Sequence, residues 1–404
     1  MKFIDYPFSP EIQRGLQEAG FVKPTDIQFR AIPPILRGED VFAIAQTGTG
    51  KTAAFALPVL NMLHKSHGKK RGSGVKCLIM VPTRELGKQL ESVFIALGRY
   101  TPLSFLGIFG GAGIERQIEK LNLGVDVLIS TPGRMFDLIN RGNLLLHRAE
   151  ILILDEADRM LDMGFYKDIK AVLPMLKSRR QTLFFSATLN PKIKKLAYDI
   201  VRNPIRISVS PRDPVNANID HALLFAEMDE KRFVLQKFLE SHPGEKILIF
   251  ARTKVRVERV QKFLMGKNFP CVGLHGGMEQ KTRNFNLKKF RSGEEKILVA
   301  TDVSARGIDI PDIDWVINYD LPDDPRVYVH RVGRTGRGTK RGKALSFCSP
   351  GEKPLMGEIE KFTGKKIQRI SLSREELDSL SETKTGEEGD WKKLIAENEK
   401  RKKK

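Results

Sequence analysis

Residues 41–60 read VFAIAQTGTGKTAAFALPVL. An apolar run typical of a buried strand leads into a glycine-rich turn, and the turn leads into a run of helix-forming residues. In that context glycines let the backbone wrap around phosphate groups and direct its N–H groups at them. The N-terminus of the following helix adds a positive dipole. This stretch predicts an α/β fold with a nucleoside-triphosphate site at the end of its first strand.

Two side chains of this loop have specific expected roles. Lys51 would meet the β- and γ-phosphates of ATP, and Thr52 would hold Mg²⁺. Ala45 stands where such loops usually begin with glycine, and a chance Gly-Lys-Thr turn is the alternative. The strand before the turn and the helix after it favour the phosphate loop. Its predicted contacts are Gln46, Thr47, Gly48, Thr49, Gly50, Lys51 and Thr52.

A pair of acids supplies the second half of a hydrolytic site. Asp155 and Glu156 follow the apolar run 151–154, and ligand groups in open α/β sheets gather at the carboxyl ends of strands. Asp155 is placed to bind Mg²⁺, and Glu156 to orient and deprotonate the attacking water. The alternative is an acid-rich helix N-terminus. Together with the phosphate loop, the pair predicts ATP hydrolysis.

Strand-like runs alternate with amphipathic segments, which predicts parallel sheets covered on both faces. The alternation stops at a polar, proline-containing stretch near 208–218 and then restarts, so two similar α/β domains are expected. We expect a first domain at 1–207, a linker at 208–218, a second domain at 219–366 and a mobile basic tail at 367–404. The predicted strands are 41–45, 77–81, 104–109, 125–129, 151–154, 182–185, 247–250, 271–274, 297–300, 315–319 and 344–348.

Net charge and cysteine content indicate which class of partner and which cellular compartment to expect. The formal net charge of +20 and a pI of about 9.8 favour a polyanion, nucleic acid before anionic membrane or acidic protein. Cys77, Cys271 and Cys348 are far apart, so neither a zinc site nor a disulfide framework is indicated. Without an apolar leader or a bilayer-length run, we expect a cytoplasmic protein with no membrane partner.

One basic segment in the second half has two interpretations of equal weight. Residues 330–337 read HRVGRTGR, in which arginines recur every three residues among glycines. Phosphoryl transfer needs cations on the developing charge, so Arg334 and Arg337 could serve as arginine fingers. Alternatively, the segment is a surface patch for a nucleic-acid backbone.

Taken together, these segments resemble the DEAD-box RNA helicases, with similarity over residues 3–362 and a layout similar to the bacterial RhlE-type group. Gly87 and Ser304 stand where that family usually has alanine. The matching segments are GKT at 50–52, PTREL at 82–86, GG at 110–111, TPGR at 131–134, DEAD at 155–158, SAT at 186–188, Gln280 with Arg283, ATDVSARGID at 300–309 and HRVGRTGR at 330–337.

The resemblance implies further nucleotide contacts. Phe3 and Gln28 match the family's adenine-reading segment at 1–29, with Phe21 and Thr25 around them; Phe3 would stack on the base. A Gln amide is complementary to adenine N6 and N7. Thr25 and Gln28 also have capping-box spacing, the alternative for Gln28. Asp309 matches the ribose contact, and Arg334 and Arg337 match the arginine fingers.

The resemblance also implies the contacts with RNA. RNA-backbone contacts correspond to Thr83, Arg84, Gly111, Thr131 and Arg134 in the first domain and to Arg252, Arg283 and Thr301 in the second. The residues that couple hydrolysis to RNA correspond to Asp158, Ser186, Thr188 and His330. From the residues alone, isolated Arg and Thr are usually just solvated.

The expected protein is a pair of tandem RecA-like domains that uses ATP and Mg²⁺ to unwind short RNA duplexes locally or to remodel RNA–protein assemblies. Ribosomal precursors and RNA-decay assemblies are the partner classes that the resemblance implies, and we expect a monomer. An ATP-gated RNA clamp and a DNA translocase of the same superfamily are alternatives. The tail, ending in residues 400–404, would add nonspecific RNA affinity or only solubility.

Overall fold

The computed structural model describes residues 2–45, 48–67, 74–111, 113–209, 219–305, 312–336 and 341–370. They form two compact units, unit 1 before residue 210 and unit 2 after residue 218. Each unit is built on a sheet of seven parallel strands, so the predicted fold class is confirmed. Gln46, Thr47, residues 210–218 of the predicted linker, Asp309, Arg337 and the tail from 371 lie outside the described residues.

Unit 1 alternates strands and helices along the chain. Its strands are β1 (Val41–Ala45), β2 (Cys77–Met80), β3 (Phe105–Ile108), β4 (Val127–Ser130), β5 (Ile151–Leu154), β6 (Gln181–Ser186) and β7 (Ile205–Val209). Its helices are α1 (Pro10–Glu18), α2 (Asp26–Leu36), α3 (Lys51–Ser66), α4 (Arg84–Leu97), α5 (Ile114–Asn122), α6 (Pro132–Asn140), α7 (Ala157–Asp162), α8 (Tyr166–Val172) and α9 (Pro191–Ile200), with 3₁₀ turns at Phe3–Asp5 and Leu173–Met175.

Unit 2 follows the same plan. Its strands are β8 (Ile219–Phe225), β9 (Ile247–Phe250), β10 (Val272–Leu274), β11 (Ile297–Ala300), β12 (Trp315–Asn318), β13 (Gly342–Cys348) and β14 (Gln368–Ile370). Its helices are α10 (Lys231–Glu240), α11 (Lys254–Gly266), α12 (Gln280–Ser292), α13 (Asp302–Ala305), α14 (Pro325–Val332) and α15 (Lys353–Thr363), with a 3₁₀ turn at Pro350–Glu352.

The two sheets have one topology. The strand order is β3-β4-β2-β5-β6-β1-β7 in unit 1 and β10-β11-β9-β12-β13-β8-β14 in unit 2, so each strand of unit 2 repeats the strand seven positions earlier. All four residues of β2, β4, β5, β9, β11 and β12 are buried. Helices on both faces of a parallel sheet explain why these strands are apolar throughout rather than alternating.

Two predicted boundaries are wrong by a few residues. Ser208 and Val209, predicted to begin the linker, continue β7, because they pair with Ile44 and Ala45 of β1. Residues 368–370, predicted to belong to the tail, form β14, which pairs with β8. Both errors have one cause: a short polar edge segment is ordered by backbone hydrogen bonds to a neighbouring strand rather than by its own apolar pattern.

The strand order fixes what lies along the carboxyl edge of unit 1. β1, β6 and β5 are neighbours, so the phosphate loop after β1 and the acids after β5 flank β6. β2, β4 and β3 complete the other half of that edge. The segments predicted to bind ATP and those predicted to bind RNA therefore occupy adjoining halves of one edge.

Candidate functional site

The turn between β1 and α3 has the backbone of a phosphate loop. Gly48 and Gly50 have φ angles of 86° and 91°, in the left-handed region that favours glycine. Gly50 is also the N-cap of α3. A Cβ atom at Gly50 would lie 2.5 Å from Nε2 of Gln28, so a larger residue would strain the backbone and displace the Gln28 amide.

Lys51 is the first residue of α3, and its side chain is left for a ligand. The residue is 6% exposed, and its Nζ atom is buried without a hydrogen-bond partner among the described residues. A buried ammonium group without a hydrogen-bond partner is costly. A phosphate group would satisfy it, as the sequence predicts for this lysine.

The predicted adenine-reading segment is tied directly to the loop. Oε1 of Gln28 accepts a hydrogen bond from the Thr25 N–H at 2.8 Å, and Nε2 of Gln28 donates to the Gly50 carbonyl at 3.1 Å. The Thr25 hydroxyl donates to the Thr49 carbonyl at 2.8 Å. The capping role weighed for Gln28 is thus present, and its amide also braces the phosphate loop. A contact between Gln28 and adenine stays a prediction.

The stacking role predicted for Phe3 does not fit its position. Phe3 is 2% exposed and lies in the core of unit 1. Its ring meets Phe21 edge-on, with centroids 5.7 Å apart and planes at 87°. The 3₁₀ turn that begins at Phe3 directs its ring inward and leaves it no free face for a base. Phe21, by contrast, is only half-buried.

Asp155 and Glu156 lie at the carboxyl end of β5, and both are 2% exposed. Burial raises the pKa of Asp155 to about 6, although the positive charge of Lys51 opposes the shift. The Glu156 N–H donates to Oδ1 of Asp155 at 2.9 Å. Glu156 itself has a φ of 53°, a strained value for a non-glycine residue that re-aims its side chain at the start of α7.

The predicted base has an orienting partner that was not predicted from the sequence. Nη1 of Arg159 donates to Oε2 of Glu156 at 2.7 Å, and both side chains are less than a tenth exposed. The two residues lie three positions apart at the start of one helix, which is the spacing that could have revealed the pair.

Three of the four residues predicted to couple hydrolysis to RNA lie at or just after the ends of β5 and β6 in unit 1, and the fourth, His330, lies in α14 of unit 2. Oδ1 of Asp158 accepts a hydrogen bond from the Ala187 N–H at 3.4 Å, which links the segment after β5 to the end of β6. The Ser186 hydroxyl donates to the Thr188 carbonyl at 2.9 Å. The Thr188 hydroxyl oxygen is buried, with no hydrogen-bond partner in the described part of the chain.

The residues predicted to contact RNA in unit 1 follow the ends of β2, β3 and β4. Thr83 caps α4 by accepting a hydrogen bond from the Leu86 N–H at 3.3 Å. Arg84 passes over Gly110, where a Cβ atom would lie 3.0 Å from Nη2 of that arginine. Gly111 has a φ of 77°. Thr131 is the N-cap of α6, and Arg134 lies in the first turn of that helix.

The corresponding residues of unit 2 follow the ends of β9, β10 and β11. Nη1 of Arg283 donates to the His275 carbonyl and to Oγ of Ser304, both at 3.2 Å. The Thr301 hydroxyl donates to the same Ser304 oxygen at 3.2 Å. Ser304 therefore ties two predicted RNA contacts together. Arg252 donates to the Leu321 carbonyl and to Glu352, and its side chain stays 41% exposed.

Comparison with known proteins agrees with this arrangement. The DEAD/DEAH box helicase model matches residues 25–196, and the helicase conserved C-terminal domain model matches residues 230–339. The chain is 39% identical over 368 residues to the DEAD-box ATP-dependent RNA helicase CshA of Geobacillus kaustophilus, covering 91% of this chain and 78% of that protein. This chain belongs to the DEAD-box family of ATP-dependent RNA helicases.

A second relative and a solved structure support the same family assignment. The helicase is 38% identical over 374 residues to DbpA of Bacillus subtilis, which covers 93% of this chain and 77% of that protein. Dbp5 L327V of S. cerevisiae bound to RNA and ADP BeF3 matches with a TM-score of 0.84 at 29% identity, over 98% of this chain and 99% of that one. No described helix of the helicase is long and apolar enough to cross a membrane.

The two family positions where this helicase departs from alanine have structural consequences. At Gly87, a Cβ atom would lie 2.2 Å from Cε1 of Phe109, so glycine makes room for that ring in the core of unit 1. At Ser304, the hydroxyl adds the link between Arg283 and Thr301. The first departure is a packing adjustment, whereas the second changes the predicted RNA surface.

The two described arginines of the segment at 330–337 have different surroundings. Arg331 is 1% exposed and forms a two-bond ion pair with Asp302, at 2.6 and 2.7 Å, at the carboxyl end of β12. Arg334 lies near the opposite end of that strand, with Nε donating to the His330 carbonyl at 3.3 Å. It lines a cavity of about 250 Å³ with Thr335 and Arg341. The Arg331–Asp302 pair was not predicted from the sequence, although both segments carry family motifs.

Unit 2 has a lysine, Lys231, at the position equivalent to Lys51, but the ammonium group of Lys231 is hydrogen-bonded within the protein. Lys231 is the first residue of α10, which follows β8, as Lys51 begins α3 after β1. Its Nζ atom donates to the carbonyls of Tyr319 and Phe347 at 2.9 and 3.3 Å and to Glu352 at 2.5 Å. Of these two equivalent lysines, Lys51 in unit 1 is therefore the one whose Nζ atom has no hydrogen-bond partner among the described residues.

Proposed function

We propose that this helicase couples ATP hydrolysis in unit 1 to the grip and release of one RNA strand, and so unwinds short duplexes locally and without processive movement. The observation that carries the proposal is the carboxyl edge of unit 1. Lys51, without a hydrogen-bond partner among the described residues, and the buried acids after β5 flank β6, while the predicted RNA contacts follow β2, β3 and β4.

Thr52 and Asp155 would hold Mg²⁺. The fit rests on the donor set, because a buried carboxylate whose pKa is raised by burial is a hard oxygen ligand that a cation would stabilise in its charged form. When bound, the ion would neutralise phosphate charge during transfer. Lys51 would bind the terminal phosphates beside it.

Glu156 would orient and deprotonate the attacking water, with Arg159 holding its carboxylate in place. In nucleotide recognition, Phe21 replaces Phe3 as the side chain proposed to stack on the base. Gln28 would read the adenine edge while bracing the loop. Asp309 would contact the ribose, and Arg334 and Arg337 would stabilise the developing charge.

RNA would be held by its backbone, independently of sequence. The proposed contacts have in common that they follow strand ends at the carboxyl edge of each sheet, where ligand groups gather in open α/β sheets. They are Thr83, Arg84, Gly111, Thr131 and Arg134 in unit 1 and Arg252, Arg283 and Thr301 in unit 2. Asp158, Ser186, Thr188 and His330 would transmit the state of the nucleotide to this surface. Residues 210–218 would act as the hinge.

The test is the ATPase rate of the full chain with and without single-stranded RNA, compared with DNA of the same sequence. We expect stimulation by RNA, and we expect Glu156→Gln to bind ATP and RNA with turnover reduced at least about a hundredfold. Wild-type turnover in Glu156→Gln would exclude it as the base. Equal stimulation by DNA would favour the translocase alternative.

Strand displacement separates unwinding from clamping. A duplex of about ten base pairs should be separated with ATP, whereas a long duplex should not. If RNA stimulates hydrolysis but no short duplex is displaced, the protein acts as an ATP-gated clamp. Ribosomal precursors and RNA-decay assemblies are the proposed sources of the RNA in the cell.

A further inference from the structure

A cavity of about 390 Å³ opens in unit 2 beside the start of α10, along α11 and next to Tyr319, which follows β12. Its place in the topology is informative. β8 with α10 repeats β1 with α3, and β12 repeats β5, so this cavity adjoins the position that the nucleotide site occupies in unit 1. None of its lining residues is among those assigned to ATP or RNA above.

The cavity is strongly basic. Arg232, Arg256, Arg259 and Lys262 line it, against a single lining acid, Asp229. Arg232, Arg259 and Lys262 are exposed. Within the described residues, neither Arg259 nor Lys262 forms a hydrogen bond or an ion pair, so their charges are available to a bound anion. Four cations converging on one concave surface favour an anionic ligand.

Arg256 gives the site a fixed donor. Its Nη2 atom lies 3.2 Å from Oδ1 of the buried Asp320 and also contacts the sulfur of Met228. Its guanidinium group lies 5.6 Å from the centre of the Tyr319 ring. Its Nε atom is buried, with no hydrogen-bond partner in the part of the chain that the structure describes. The arginine is thus held in position with one donor unused.

The remaining wall is apolar and partly aromatic. Met228, Val260, Phe263 and Tyr319 form it. Met228 is 40% exposed, and the half-buried Phe263 is held edge-on against Phe233 with centroids 6.0 Å apart. Arginine donors recognise phosphate, and flat apolar surfaces accept a base. Cations beside an aromatic wall therefore suit a ligand that carries both a phosphate group and a base.

We propose that this cavity is a second nucleoside-phosphate site, in which Arg256, Arg259 and Lys262 bind the phosphate and the base lies against Met228 and Phe263. The volume is within the roughly 300–1,000 Å³ typical of small-molecule sites. Two ligands share this chemistry: a nucleotide of the bound RNA strand and a free nucleotide. Only the first assignment rests on the proposed function.

The decisive variant is Arg259→Glu with Lys262→Glu in the full chain. Its matched control is Lys361→Glu with Lys366→Glu, which reverses two exposed charges at and just beyond the C-terminal end of α15. Oligouridylate affinity is measured against salt concentration without nucleotide. If RNA supplies the ligand, the salt slope of the cavity variant falls by roughly 0.7 for each phosphate that is no longer neutralised, while the control variant keeps the wild-type slope. With Trp391, the chain's other tryptophan, replaced by phenylalanine in every variant, fluorescence of Trp315 checks that unit 2 is folded in both.

A second arm tests the free nucleotide. In a Lys51→Ala background, which removes the phosphate lysine of unit 1, fluorescent ADP is titrated into both double variants. Binding that survives in the control and disappears in the cavity variant assigns the site to free nucleotide. The inference is overturned if both the salt slope for oligouridylate and the binding of ADP are the same in the cavity variant and the control variant. Failure of RNA to stimulate wild-type ATPase rejects the proposed function separately.

Discussion

Replacing the two equivalent lysines by methionine tests why unit 1 carries the ATP site. Lys231→Met removes a fully buried ammonium group that bonds two backbone carbonyls and Glu352. Asp320, 3.9 Å away, also loses one of its positive neighbours and keeps Arg256 at 3.2 Å. Breaking a buried ion pair by removing one partner costs about 3–5 kcal/mol. Domains are stable by only about 5–15 kcal/mol, so unit 2 should lose a large part of its stability.

Lys51→Met is the matched control for that change. Nζ of Lys51 has no hydrogen-bond partner among the described residues, so its removal breaks no such bond. We expect the stability of unit 1 to stay within about 1 kcal/mol of wild type, whereas ATP hydrolysis should be lost. One substitution at equivalent positions would thus remove stability in unit 2 and activity in unit 1.

Urea denaturation of the full chain measures the unit 2 effect, because Trp315 lies in β12 and is 7% exposed. The chain's other tryptophan, Trp391, is replaced by phenylalanine to leave one reporter. Hydrogen exchange of peptides from β5 and β12 then reports each unit separately. Equal midpoints for wild type and Lys231→Met, or a larger loss in Lys51→Met, would refute the reasoning.

The ion pair between Lys231 and Glu352 should also make the stability of unit 2 depend on pH. Burial opposes ionisation of Glu352, but Lys231 and the donors of Ser349 outweigh it and lower the pKa of that carboxyl group. A lowered folded-state pKa contributes stability that is present above the unfolded pKa and lost as pH falls through the folded value. Unit 2 should therefore weaken in acid, and Lys231→Met should weaken less steeply.

Two further substitutions test positions where this chain departs from its family. Ser304→Ala removes the link between Arg283 and Thr301. At about 0.5–1.5 kcal/mol for a hydrogen bond, single-stranded RNA affinity should fall roughly two- to tenfold. Unchanged affinity would count against the role of Ser304. Gly87→Ala places a Cβ atom 2.2 Å from Phe109 and should destabilise unit 1 by about 1–3 kcal/mol. Adding Phe109→Leu should recover most of the lost stability. A Gly87→Ala protein as stable as wild type would contradict the packing explanation.

Local patterns allowed the main site to be predicted. The strand, glycine-rich turn and helix at 41–60 are each specified by nearby residues, and the structure has β1, two left-handed glycines and α3 there. Buried parallel strands can also be recognised in the sequence, because they are continuous apolar runs. β7, β8 and β14 were not predicted, because they lie beside polar segments or are ordered by pairing with neighbours.

The remaining features depend on residues that are distant along the chain. Nothing local distinguishes Lys231 from Lys51, because Glu352 lies 121 positions away from Lys231. Phe3 was expected to stack on a base, yet the packing of Phe21 and Tyr6 around it buries the ring. Arg331 pairs with Asp302 across 29 positions. In each case a tertiary contact decides whether a side chain is structural or available.

The most direct test of the coupling between ATP and RNA is the dissociation constant of a labelled single-stranded RNA, measured on the full chain with and without a non-hydrolysable ATP analogue and Mg²⁺. We predict at least about fivefold tighter RNA binding with the analogue, since coupling between sites is typically about 1–3 kcal/mol, and an equal gain in analogue affinity when RNA is present, since coupling is reciprocal. Lys51→Met should abolish the difference. An RNA affinity that is the same with and without the analogue would contradict the coupling of the two sites.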